Sequence, residues 1–173
     1  ASGQYNVAIG NESLTGITSG TDNVGVGPWS LQSITTGTSN VGVGRSALDS
    51  MTTKHYNTAI GHHAMKGANN TQQAVAIGSF AIGHSALISN ENGGGNVVVG
   101  SNAGYFVTSN DNTLIGDLAG NTISTGAENT ILGADCDVAS NDNNNNVIIG
   151  NNLTATDKNN AVFIGNDSSH IEN

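Results

Sequence analysis

The stretch NVGVGPWSLQSITTGTSNVGVGRSAL, residues 23–48, states one short pattern twice: Asn, an apolar triplet, a closing glycine, then a small residue followed by Leu. The two glycines, Gly27 and Gly44, are 17 residues apart, and the same spacing carries outward in both directions. Ten copies can be marked by their closing glycines: Gly10, Gly27, Gly44, Gly61, Gly78, Gly100, Gly116, Gly133, Gly150 and Gly165. Their separations are 17, 17, 17, 17, 22, 16, 17, 17 and 15 residues, and the long gap holds a duplication, IGSFAIGHSAL (77–87), with its own Gly83. A fixed period of this length predicts one supersecondary unit stacked repeatedly, a solenoid-like rod.

Within each copy the residues three and one before the glycine are β-branched or aliphatic, as in Val24 and Val26 or Val147 and Ile149. Positions two apart share a face of a strand, and β-branched side chains favour that backbone. Each copy is therefore predicted to be a short strand with one face, that of these two columns, inward. From residue 96 on, both faces are expected to be buried, one within the coil and the other against neighbouring chains. Eight copies open on Asn: Asn6, Asn23, Asn40, Asn57, Asn96, Asn112, Asn129 and Asn146. Asn tolerates left-handed backbone and suits a corner. In stacked coils its amides would also bond from one coil to the next as a ladder. The glycine is expected at a corner of positive φ, or where stacked backbones approach closely.

Apolar volume shifts along the chain. The residue two before the glycine is Ala8, Gly25, Gly42, Ala59 and Ala76 early, but Val98, Leu114, Ile131, Ile148 and Phe163 later. The large residue four after it disappears in compensation: Leu14, Leu31, Leu48, Met65 and Leu87 give way to Gly104, Gly120, Asp137 and Thr154. Interiors are filled to constant density. The exchange predicts two sub-regions, residues 1–95 and 96–165, followed by a tail at 166–173. The fold class predicted is all-β: an elongated parallel β-roll or β-helix of about ten 17-residue repeats. Three such chains around a common axis would cover its apolar faces as a homotrimeric fibre.

Composition excludes several functions. The net charge is −9, from 13 acidic against 4 basic residues, which disfavours nucleic acid as a partner. No apolar run approaches the roughly 18 residues of a membrane span, and no signal peptide opens the chain, so no membrane insertion is expected. A single cysteine, Cys136, falls in the small column and reads as a buried packing residue. No nucleophile elbow, HExxH or paired CxxC occurs. Asp117 and Asp135 would approach one another on stacked turns, but read first as solvated corner residues. No enzyme activity and no cofactor or metal is expected.

Candidate contact residues are exceptions on the outward corner. The two residues after glycine are mostly polar, yet Trp29, Phe80 and Leu118 stand there, and Tyr105 and Phe106 lie close by. Aromatic faces suit sugar or receptor surfaces as well as packing between subunits. His62, His63 and His84 follow Gly61 and Gly83. If the duplication bulges out, His62 and His84 stack on successive coils, as exposed turn histidines or as a metal site shared across chains.

The pattern N-[VT]-[AG]-[IV]-G-x-x-[AS]-L, carried best by residues 6–14, 23–31, 40–48 and 57–65, resembles the head repeats of trimeric autotransporter adhesins. It also resembles repeats of bacteriophage tail fibres and tailspikes. The 17-residue period, with Ser19-Gly20 or Thr36-Gly37 ahead of the next Asn, is closer to the phage fibres. The tail IGNDSSHIEN (164–173) resembles the junction preceding the self-cleaving chaperone of endosialidase-type spikes. The resemblance implies a receptor-binding segment of a virion tail fibre that attaches to a host surface, with carbohydrate as the expected receptor. The alternatives are an adhesin head on a bacterial cell surface and a polysaccharide depolymerase spike.

Overall fold

The computed structural model describes residues 3–67, 79–90, 92–156, 159–166 and 169–172. It is all-β among these residues, with no helix. Ten short strands stack in chain order: β1 (Val7–Ile9), β2 (Val24–Val26), β3 (Val41–Val43), β4 (Thr58–Ile60), β5 (Phe80–Ile82), β6 (Val97–Val99), β7 (Thr113–Ile115), β8 (Thr130–Leu132), β9 (Val147–Asn151) and β10 (Val162–Asn166). Each pairs parallel with the next in the register of the repeat, so Val24 lies opposite Val41 and Thr130 opposite Val147. With rungs about 4.8 Å apart, ten turns make a rod of roughly 50 Å.

Two elements depart from the expected repeat. The copy at 74–78, with Ala76 and Gly78, lies outside the described residues, and the fifth rung is instead Ser79–Gly83. Phe80 pairs with Thr58 on one side and Val97 on the other. Phe80 is thus a strand residue, and the corner it was expected to occupy belongs to His84. The tail contributes β11 (Ser169–Glu172), which pairs antiparallel with β10, Ile164 opposite Ile171. It covers the edge of a parallel ladder that would otherwise present unpaired backbone.

In residues 1–95 the inward face of the strands is opposite to the expected one, and in residues 96–165 the middle column is the face that packs within the coil. From β2 on, the buried residue of each triplet is its middle one: Gly25, Gly42, Ala59, Ala81, Val98, Leu114, Ile131, Ile148 and Phe163, whereas all of β1 is exposed. The flanking β-branched columns face out, with Ile60 38%, Ile115 40%, Ile149 39% and Ile164 44% exposed. Inside the early turns there is room only for Gly or Ala. A Cβ on Gly25 would stand 2.5 Å from Ser13 Oγ and 3.3 Å from Leu14 Cδ1. The later turns invert this. A Cβ on Gly120 would stand 2.8 Å from Leu114 Cδ2, and one on Gly104 2.9 Å from Leu114 Cδ1. Volume is exchanged between two facing columns at constant cross-chain packing, and the sheet runs through the exchange unbroken.

The wall facing the sheet has no strands, yet it is equally periodic. Leu31 N donates to Ala47 O at 2.9 Å, Gly104 N to Ala119 O at 2.9 Å and Asp137 N to Leu153 O at 3.0 Å, one bond per turn in the same column. This wall carries left-handed residues, among them Leu14, Leu31, Leu48, Met65 and Leu87, all with φ between 51° and 57°. Cys136 is fully buried in the small column, as expected.

The closing glycines satisfy both expectations. Gly27 and Gly44 have φ of 121° and 126°, and a Cβ on Gly27 would meet Gly44 C at 2.8 Å. The Asn column forms the expected ladder. Asn40 Nδ2 donates to Asn23 Oδ1 at 3.0 Å and to Lys54 O at 2.8 Å, while Asn40 Oδ1 accepts from Asn57 N at 3.0 Å. The same pattern links Asn112, Asn129 and Asn146. The ladder residues do not use left-handed backbone. That conformation falls one residue earlier, at Tyr5, Asp22, Ser39 and Tyr56.

Candidate functional site: an aromatic and cationic corner

The corner from Gly10 to Gly133 is set, in the described turns, by two requirements: a positive-φ glycine that turns the chain, and a left-handed residue two positions on. Side chains at these two positions stand in columns along the rod. In the second to fifth turns the columns gather chemistry that the fold does not need. Arg45 lies over the Trp29 ring, its guanidinium carbon 4.8 Å from the centroid. The His62 and His63 rings stack at 3.7 Å, and His62 and His84 stack across successive turns at 5.2 Å with planes 22° apart. Ser85 N donates to His62 O at 2.9 Å, which fixes that register. The expected stacking of His62 on His84 is therefore present.

The charges acting on His63 share one sign. Burial lowers the proton affinity of His63 below its ordinary value, and Lys66, His62, Arg45 and His84 lower it further. Arg45 and His84 are exposed, and Trp29, His62, His63 and Lys66 are half-buried. Arg45 and Lys66 escaped the reading of the sequence, because single basic residues scattered through a repeat carry no spacing signal. Among the described residues, no group of three or more His, Cys, Asp or Glu is placed to hold a metal.

A second feature lies in the later turns. An open cleft of about 710 Å³ is lined by Phe106, Thr122, Asp137, Asn141 and Thr154. Phe106 is 54% exposed and packs edge-on to Tyr105 at 4.8 Å. Asp137 takes the place that Leu occupies in early turns, so the cleft is where apolar filling stops. Its carboxylate accepts from Thr122 N at 2.9 Å and Val138 N at 2.8 Å. Burial raises its proton affinity above the ordinary carboxylate range, against those two bonds. The backbones of Asp117 and Asp135 pair on adjacent turns, Asp135 N donating to Asp117 O at 2.9 Å, and both residues are exposed. Burial also pushes the Cys136 thiol up, with Asp135 and Asp137 adding to the effect against a backbone bond from Leu153. Phe80 does not join either feature as a corner residue.

The third surface is the outer face of the sheet, two columns running from Val7 and Ile9 to Val162 and Ile164, mostly aliphatic but with Thr58, Thr113 and Thr130 among them. No helix among the described residues is long and apolar enough to cross a membrane. Comparisons of the chain with protein-family models, curated proteins and solved structures return no match.

Proposed function

We propose that this chain is one subunit of a homotrimeric attachment fibre, a tail-fibre or tailspike segment of a virion. Its rod spaces the subunits' corners and presents them to a carbohydrate receptor on the host surface, and it carries no catalysis. The observation that supports this most is the outward apolar face of the ladder. A three-residue strand is about 10 Å wide, so ten rungs give roughly 500 Å² of flat surface, most of it apolar. That is the upper range of what a soluble monomer leaves exposed. Two neighbouring copies of the same face, related by a threefold axis, cover it with matching period. The motif resemblance of residues 6–65 supports the fibre over other trimers.

Mass in solution tests the reading: light scattering of the purified chain is expected to give three times the 17.4 kDa subunit. A monomer would overturn it. The cleft beside Phe106 and Asp137 favours one second reading, a polysaccharide depolymerase. Release of reducing ends from host polysaccharide, abolished by Asp137→Ala, would support that reading over pure attachment.

A further inference from the structure

The chain carries only four Lys and Arg residues against 13 acidic ones, yet their placement is uneven. Lys54 is buried, whereas Arg45 and Lys66 stand on one corner with three of the five histidines. Trp29, Arg45, His62 and His84 occupy four successive turns, about 14 Å along the rod at one rung per 4.8 Å. The repeat does not ask for any of them. The position held by Arg45, His62 and His84 is Asn11, Pro28, Ser101, Asp117 and Asn151 in other turns.

Like charges held side by side repel, and here Lys66, His62, Arg45 and His84 each oppose the protonation of His63. The carboxylate at the edge of the group is Asp49, one turn before Lys66. Burial holds its proton affinity above the ordinary range, despite the Lys66 charge and a hydrogen bond from Ser46. Asp49 acts on Lys66; a negative charge arriving from outside would face Arg45 and the histidines around His63. The half-buried Trp29 ring, with Arg45 over it, adds aromatic surface to the charges.

We propose that the corner formed by Trp29, Arg45, His62, His63, Lys66 and His84 is the binding site for an anionic polysaccharide. Its carboxylate or phosphodiester groups lie along the rod against the cations, and one sugar ring stacks beside Trp29. This rests on the attachment reading above and names its ligand class. The overall charge of −9 does not forbid it, because screening confines the repulsion from the rest of the rod to about 8 Å at physiological salt. Binding takes up a proton: an anion facing His63 offsets its cationic neighbours and raises its proton affinity back. Affinity therefore rises as pH falls.

Calorimetric titration of the full chain tests this with three polymers: polygalacturonate, poly(glycerol phosphate), and fully methyl-esterified polygalacturonate, which keeps the sugar and removes the charge. Binding of at least one anionic polymer and none of the ester is expected. It should be several-fold tighter at about pH 5.5 than at about pH 8, and about 10-fold weaker in Arg45→Gln. His63→Asn, an exchange the left-handed backbone accepts, should flatten the pH dependence. Preference between the two anionic polymers assigns carboxylate or phosphodiester as the natural group. Equal binding of the ester, or no binding of either polyanion, overturns the proposal. Light scattering of the same samples separates the two readings. A trimer that ignores polyanions sinks the ligand assignment alone, and a monomer that binds them sinks the fibre alone.

Discussion

Asn40 shows how much one buried amide does in this fold. It is fully buried and spends both ends of its side chain, donating to Asn23 Oδ1 and Lys54 O and accepting from Asn57 N. Truncation to Ala leaves those partners unmet in a site closed to water, at about 1–3 kcal/mol for each orphaned group. Asn40→Ala is expected to lower unfolding free energy by about 3 kcal/mol or more, measured by urea denaturation. Asn6→Ala, on a half-exposed rung where water substitutes, should cost about 1 kcal/mol. Among the described residues Asn gives way in two turns, to Ser79 within the ladder and to Ala161 at its end. Ser79 fills the Asn position of the fifth turn, its N donates to Asn57 Oδ1 at 3.3 Å, and its Oγ is buried with no partner among the described residues. Ser79→Asn should join Asn57 to Asn96 and raise stability by about 1 kcal/mol; a loss of stability would show that the turn cannot take the larger amide. The Asn column itself was legible, because its period equals that of the glycines. Its backbone role was not. The left-handed residue stands one place earlier, where Tyr5, Asp22 and Ser39 share no chemistry that a sequence could display.

Strands β1 to β10 illustrate the limit of a period-two pattern. Alternation says that two faces exist; when both are apolar, it does not say which is inside. The larger columns were expected inward, but the coil is too narrow: Ser13, Ser30 and Leu14 already fill the space above Gly25. The exchange of volume between columns was legible, since both columns change between residues 87 and 98. It makes a sharp test. Left-handed backbone does not exclude Leu at position 120, where φ is 60°, because Leu14, Leu31 and Leu48 adopt nearly the same value. What excludes it is Leu114. Gly120→Leu alone is expected to cost about 1–3 kcal/mol by overpacking, and Leu114→Ala alone about 2–5 kcal/mol by leaving a cavity. The double variant should recover about half of the summed loss, since the new side chain occupies the vacated space and only Ile123 still crowds it. A double-mutant cycle in urea measures that coupling. Strict additivity would mean that the two columns do not share one interior.

The assembled rod has an inside and an outside that single substitutions can tell apart. Val98 is fully buried within the coil, whereas Ile60 and Ile149, at 38% and 39% exposure, stand on the outer face. Asp at position 98 buries a charge in a core with no partner for it, and is expected to unfold the chain outright. Asp at position 60 or 149 is solvated in the isolated subunit, so the fold should survive. In a trimer the same carboxylate is repeated three times at the contact between faces, where desolvation and mutual repulsion oppose association. Ile60→Asp and Ile149→Asp are therefore expected to give monomers with the circular dichroism of the parent, and Val98→Asp a chain with neither assembly nor β signal. Light scattering and far-ultraviolet dichroism on the three variants check this together. A parent that is trimeric and stays trimeric in both outer-face variants would place the contact elsewhere, and the apolar columns would then lose their role in assembly. Loss of the β signal in the outer-face variants would make the subunit's fold dependent on its neighbours, as three interdigitated chains require and three separate coils do not.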